Sequence, residues 1–352
     1  MQVLCLGDVV IADGHLPRDS RLRLGSLSPG PEARILLNWE IPVGETTNPV
    51  PRVRGPRLVA SPDAPRSLEG LAPGFATLAT NHILDAGAAG VAGTMQALER
   101  AGFATVGAGR TREEAAKPLF WETPEGRLAV VNWVFGETHP DWMALPGPNC
   151  WPGVEEARGT VRALKHETDW VLAVVHWSDE YFAYPRPEDR TIARELAQMG
   201  VDLVVGHHPH VVRGMEITGS CPVFYSIGNF YFDAIPGTHA RWGGCAAPRN
   251  REGLGVEISF RRGLRPEWAV RSFWQAGGQT TGDPSRRAVL RMEQVSHPLR
   301  QLPRAGYGEW YAARRARFDR WDYRWQFGLW NSRKTGRLMR LLQRCQRGGI
   351  PE

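Results

Sequence analysis

Three of the chain's ten histidines fall within four residues, in the stretch GHHPH at 206–210. An imidazole cluster of that density is a candidate for metal ligation. The run VDLVV at 201–205 precedes it, short and valine-rich as a buried strand is. On an extended backbone the side chains at i and i+2 share a face, so His208 and His210 are expected to converge while His207 points away. Pro209 donates no N–H and suits a strand end or an irregular loop. The plainer alternative is three polar turn residues with satisfied hydrogen bonds.

Other apolar runs end in similar chemistry. The first delivers Asp8, the second Asn38 and Glu40, the third Asn81 and His82, and LAVVHW delivers His176. Open α/β sheets place ligand sites at the carboxyl ends of their strands. Each residue alone has an ordinary explanation, such as a cap, a turn or a core histidine bonded to a carbonyl. Five strand ends that all deliver carboxylate, amide or imidazole are harder to explain that way. Oxygen and imidazole donors without thiolate suit Mn, Fe or Zn. Six or seven ligands exceed what one catalytic ion uses, but suffice for two divalent ions sharing a bridging carboxylate.

The elements that must position these residues follow from the same patterns. VLCLGD, RILLNWE, FATLATN, LAVVNWV, DWVLAVVHW, VDLVVGHH and PVFYSIGNF are predicted strands. A helix is expected over 90–102, where Val91, Met95 and Leu98 are spaced 4 and 3 apart and Gly102 ends the run. Another is expected over 187–200, opened by Pro187 and stopped by Gly200. Alternating strands and helices give an α/β fold class. GLGVEISF and PEWAVRSFW add two strands with no helix between them, and from about Gly277 the pattern changes to polar loop and then a basic, aromatic tail.

Composition narrows the classes. The chain has 352 residues, 42% of them hydrophobic, enough for a substantial core. It holds no apolar run long enough for a transmembrane helix. The opening MQVLCLGDVVIADG lacks the basic-then-apolar order of a secretory signal, so a cytoplasmic location is expected. Five scattered cysteines without a CxxC argue against a disulfide scaffold or zinc knuckle and fit a reducing compartment.

With these residues in view, the sequence resembles the CapA family of capsule and poly-γ-glutamate synthesis, similar to a branch of the calcineurin-like metallophosphoesterases. The matching stretches, in family order, are LGDVV, NWE, LATNHILDAGAAGVAGTMQALERAGFATVGAG, VVHWSDEY, VDLVVGHHPHVVRGMEI and VFYSIGNFYFD, covering roughly residues 1–235. The combination of GHHPHV with YSIGNF is the specific one. The resemblance implies a layered α/β/β/α sandwich over 1–275, with a basic, aromatic C-terminal extension over 276–352. It implies Asp8 as a ligand of the first metal, Glu40 as the bridging carboxylate, Asn81 as the amide ligand, and His176, His208 and His210 as the rest. His82 takes the place of the histidine that steadies or protonates the leaving group. Three departures stand out: Val10 where a histidine ligand would stand, Glu40 in place of a bridging aspartate, and Ser178 where the family often has glycine.

Asn38, Asp85, Glu180 and His207 are candidate partners of the ligands or contacts for substrate; Asp85 in particular would orient a ligand imidazole, with a helix N-cap as the alternative. Glu180 is either a proton carrier, a rim group for a cationic substrate, or a solvated loop carboxylate. The implied function is a metal-dependent hydrolase of capsule or related polymer synthesis, acting on an anionic polymer or a phosphate or acyl ester. A non-catalytic polymer-binding or assembly factor using the same pocket is the rival.

The segment 307–347 carries eleven Arg or Lys against three acids, more net positive charge than the whole chain's +6. Phe318, Trp321 and Trp325 are spaced as on one helix face. A basic, aromatic helix suits an anionic polymer, the anionic inner face of a membrane, or a membrane-bound synthase. No nucleic-acid motif accompanies the charge. Simple packing of the aromatics onto the domain is the alternative.

Overall fold

The structure, a computed structural model, describes residues 1–12, 33–45, 56–138, 147–233 and 247–326. Residues 327–347 of the expected basic tail lie outside the described residues.

Valine- and leucine-rich segments that are buried on both faces build the centre. β1 (Gln2–Val10), β2 (Ala33–Trp39), β3 (Gly74–Thr77) and β4 (Phe103–Val106) pair in parallel, one after another. Between the last two runs α1 (Gly87–Arg100), whose Val91, Ala97 and Leu98 join Leu4, Leu6 and Leu37 in one apolar cluster. The short helix α2 (Arg112–Ala115) then leads to a second sheet. That sheet comprises β5 (Leu119–Thr123), β6 (Gly126–Val134), β7 (Trp170–His176), β8 (Leu203–His207), β9 (Met215–Thr218) and β10 (Cys221–Phe224), in the order β5-β6-β7-β8-β10-β9. Its crossover helices are α3 (Val154–Glu167) and α4 (Pro187–Met199), which pack on each other.

The chain then returns to the first sheet with β11 (Asn229–Phe232), β12 (Glu252–Ser259), β13 (Glu267–Ala276) and β14 (Gln279–Gly282). Val3, Cys5 and Leu36 of one sheet meet Leu128, Leu172, Val174 and Val205 of the other, forming the core between them. The architecture is therefore the layered α/β/β/α arrangement that was expected.

The change of pattern near Gly277 does not end the compact body, which runs from Met1 to Tyr307. Beyond the boundary expected at 275–276, β14 pairs with β13, and α5 (Arg287–Gln301) packs on β9, β12 and β13 through Val289 and Met292. A helix whose apolar stripe is interrupted by arginines and a late proline is easily taken for polar loop. The second unit, Gly308–Glu352, contains most of α6 (Arg304–Gln326). Within it Arg314 lies over Trp310, Arg315 lies over Phe318, and Arg315 pairs with Asp319 at 2.7 Å.

Candidate metal centre

The register of β1 shifts at Gly7. Before it, Leu6 pairs with Leu37; after it, Asp8 pairs with Asn38. The Asp8 amide donates to the Gly228 carbonyl at 3.1 Å, and β11 takes over from β12 as the neighbour of β1. A Cβ at Gly7 would stand 2.1 Å from that same carbonyl oxygen, so only glycine permits the bulge. The bulge brings β1 and the loop after β10 together around a buried carboxylate.

Asp8 Oδ1 accepts hydrogen bonds from Asn38 Nδ2 at 3.0 Å and His207 Nδ1 at 2.8 Å. Asp8 Oδ2 lies 3.2 Å from His210 Nδ1, which also meets Asn229 Oδ1 at 3.1 Å. Glu40, just after β2, sits between two imidazoles: its Oε1 is 3.5 Å from His176 Nε2 and 3.6 Å from His210 Nε2. His176, the last residue of β7, also meets Asn81 Oδ1 at 3.0 Å. The rings of His176 and His208 are 4.8 Å apart. Asn38 braces the whole, accepting from Thr77 Oγ1 at 3.1 Å while donating to Asp8.

These side chains are buried almost completely, and burying so many ionisable groups is costly unless they are paired or ligate a cation. Burial would raise the Asp8 pKa, but the hydrogen bonds and charges of His207 and His210 overcome it and hold the carboxyl far below its usual range. Burial pushes His176 well down, and the neighbouring imidazoles push the same way against the opposing charge of Asp8. His208 is likewise well down, through burial and then the charges of His176 and His210. Burial also disfavours the charged form of His210, yet Glu40 and Asp8 raise its pKa to about 10. The shifts at His176 and His208 favour the neutral imidazole, the form that offers a lone pair. At His210 a cation held by Asp8 and Glu40 would take the place of the proton those carboxylates attract.

The donor set fits divalent ions. Glu40, His176 and His208 offer ligand atoms within 4.8 Å of one another, and so do Asp8, Glu40 and His210. The two groups share Glu40. His208 Nδ1 is buried with no hydrogen bond, as a nitrogen kept for a cation would be.

The route to this arrangement differs from the extended strand expected at 208–210. β8 ends at His207, and His208 and His210 have φ of 92° and 56°. Left-handed backbone, and not strand alternation, turns both imidazoles inward. His207 does not point away: it is fully buried and bonded to Asp8. His82 and Asp85 form a pair of their own, with His82 Nδ1 2.6 Å from Asp85 Oδ2. Asp85 Oδ2 also accepts the Leu58 amide at 2.8 Å, and Asp85 caps no helix, the N-cap of α1 being Ala86. His82 directly follows Asn81, whose Oδ1 contacts His176 Nε2 at 3.0 Å. Glu180 is exposed, with a carboxylate oxygen within 4.8 Å of ring nitrogens of His208 and His210.

Three contributors were not singled out from sequence. Asn229, in the quoted YSIGNF, contacts His210; the signal was there, without a role attached. Asn132 accepts the Ala79 amide at 2.7 Å and donates to the Val174 carbonyl at 3.1 Å, tying the Asn81–His82 turn to β7. Arg213, buried, donates to the carbonyls of Phe182 and Asp179. Nothing local in the sequence marks the last two.

A family pattern described as "Bacterial capsule synthesis protein PGA_cap" matches residues 32–234, more than half of the chain. The chain belongs to that family. Among curated relatives, this PGA_cap chain is 32% identical over 161 residues to "PGA biosynthesis protein CapA" of Bacillus subtilis, covering 44% of this chain and 41% of that protein. It is 28% identical over 164 residues to "Capsule biosynthesis protein CapA" of Bacillus anthracis, covering 44% and 39%. The PGA_cap chain thus spans about two fifths of the length of both relatives. Among solved structures, it is similar to a hypothetical protein from Thermus thermophilus, at 17% identity and a TM-score of 0.45, covering 78% of this chain and 100% of that one. It is also similar to the NAD nucleotidase of Haemophilus influenzae, at 9% identity and a TM-score of 0.43, covering 84% and 62%.

Proposed function

We propose that this PGA_cap protein is a metal-dependent hydrolase in the synthesis of a capsule-type anionic polymer, cleaving the polymer or a phosphate or acyl ester of it. One observation carries the proposal: two ligand groups, Asp8–Glu40–His210 and Glu40–His176–His208, overlap in one buried carboxylate. In this reading Asp8, Glu40, His210, His176 and His208 would hold two ions, Mn, Fe or Zn, with Glu40 common to both groups and Asn81 as a further oxygen donor. Bound there, divalent ions acidify water and neutralise charge growing on a phosphoryl or acyl oxygen. The protein's own residues do the rest. Asn38 and His207 hold Asp8 in one orientation through its Oδ1. Asp85 holds His82 by Nδ1, and in the imidazolium form Nε2–H would be the proton given to a leaving group. The polymer class is carried over from the named relatives.

A second reading is favoured by Val10, buried and apolar two residues after Asp8, where the family resemblance would put a histidine ligand; the first ligand group then has three protein side chains. In it the same pocket holds an anionic polymer without cleaving it. Metal analysis of the purified protein, followed by a phosphodiesterase assay with added manganese, separates the two. Bound metal with turnover supports the hydrolase; bound metal without turnover supports the binding protein; absence of bound metal overturns the hydrolase and leaves the binding reading to a poly-γ-glutamate retention assay.

A further inference from the structure

Glu180 belongs to a third ligand group. Its carboxylate oxygen and ring nitrogens of His208 and His210 all lie within 4.8 Å of one another. His208 belongs to one of the two buried groups and His210 to the other, so Glu180 faces both at once. It is the exposed member among otherwise buried ligands. His208 Nδ1, buried and without a hydrogen bond, belongs to this same imidazole pair.

The loop that presents Glu180 is held from several sides. Tyr181 donates its amide to the Pro209 carbonyl at 2.8 Å, which ties the loop to the HPH turn itself. Arg213 Nε donates to the Phe182 carbonyl at 2.8 Å and its Nη2 to the Asp179 carbonyl at 2.7 Å, so one buried guanidinium grips the chain on both sides of Glu180. Ser178 and Tyr181 have φ of 74° and 62°, a region L residues occupy only when their surroundings compel it. At Ser178 the compulsion is visible: its hydroxyl donates to Asp189 and accepts from Arg213, and its amide donates to Glu137 Oε1 at 3.0 Å. A solvated surface carboxylate needs none of this. A carboxylate that must reach a fixed point does.

We propose that Glu180 is a metal ligand on the solvent side of the centre, adding its carboxylate to the divalent ions that His208 and His210 would hold. Carboxylate with two imidazoles is a donor set for Mn, Fe or Zn. Being exposed, Glu180 is the protein ligand that an incoming anionic group displaces most readily. The inference rests on the metal-centre reading above, and the experiment keeps the two apart.

The full chain, stripped with a chelator, is titrated with Mn²⁺, and free Mn²⁺ is followed by electron paramagnetic resonance. Wild type is compared with Glu180→Gln, Glu180→Asp, Asp179→Asn and Glu40→Gln, each shown to fold by circular dichroism. Removing an outer partner of a metal ligand commonly costs about 10–100-fold in affinity, so loss of a direct ligand should cost at least about tenfold. Glu180→Gln is expected to weaken Mn²⁺ binding by that factor, Glu180→Asp by less, and Asp179→Asn not at all. Wild-type affinity in Glu180→Gln, with metal lost in Glu40→Gln, overturns the assignment of Glu180 and leaves the centre intact. Equal weakening in Asp179→Asn and Glu180→Gln also overturns it, because the effect is then general charge and not ligation. A wild-type protein that binds no Mn²⁺ overturns both readings.

Discussion

His207 and Asp8 share a 2.8 Å hydrogen bond, and that contact changes what a histidine scan should find. On an extended backbone His207→Ala would spare the metal. Here it releases Asp8 Oδ1 from one of its two donors, and such outer partners commonly contribute about 10–100-fold to affinity. His208→Ala and His210→Ala should abolish metal binding, while His207→Ala should weaken it by roughly tenfold or more. Metal content after gel filtration and a titration of each variant check this. Retention by His207→Ala at the wild-type level would mean Asp8 needs no second donor. For His82, held at 2.6 Å by Asp85, the expected loss lies in turnover and not in metal. His82→Ala should cut kcat by about 10²–10⁴-fold with metal content unchanged. An unaltered kcat would make His82 a structural residue.

Gly7 and Gly206 show how elements place these groups. A Cβ at Gly206 would meet the Tyr225 carbonyl oxygen at 2.4 Å and the Trp177 ring nitrogen at 2.7 Å, so β8 can approach the loop after β10 only without a side chain. At Gly7 the clash is with backbone at 2.1 Å, and backbone cannot rotate away as a side-chain tip can. Gly7→Ala should destabilise the fold by about 1–3 kcal/mol and displace Asp8 along with the bulge. Denaturant unfolding of the metal-free protein measures the first effect, and metal titration the second. Wild-type stability would show that β1 and β11 separate cheaply.

At the scale of the molecule, charge is distributed unevenly along the chain. The segment 307–347 holds a net eight positives, so the remainder sums to about −2. Among the described residues, no helix is long and apolar enough to cross a membrane. If the segment meets an anionic surface, binding must fall steeply with salt, since the Debye length shrinks from about 10 Å at 0.1 M to about 3 Å at 1 M. Each arginine near an anionic membrane contributes on the order of 1 kcal/mol. Truncation after Tyr307 should therefore abolish sedimentation with anionic liposomes in about 50 mM salt and leave metal binding unchanged. An intact protein that ignores both anionic liposomes and poly-γ-glutamate would mean the arginines serve only solubility.

Most strands and the chemical inventory were legible in the sequence because both are local, but PVFYSIGNF, expected as one strand, is divided between β10 in the second sheet and β11 in the first. Valine-rich runs are recognisable within a short window, and carboxylates and imidazoles at their ends declare themselves by type. Asp8, Glu40, Asn81, His82, His176, His208 and His210 could be named without knowing how the chain folds. The helix α5 was not legible, because its apolar stripe is broken by charge and gains meaning only against β9 and β13. The same holds for the direction of His207 and the left-handed turns at His208 and His210, which depend on carbonyls and carboxylates far away in sequence. Arg213 and Asn132 look like any buried polar residue until the loops they grip are in place. The sequence by itself determined which donors exist and roughly where strands stop. Only the tertiary structure decided which donors meet, because a side chain's direction at a strand end is set by hydrogen bonds from other strands and loops, and no local pattern encodes those.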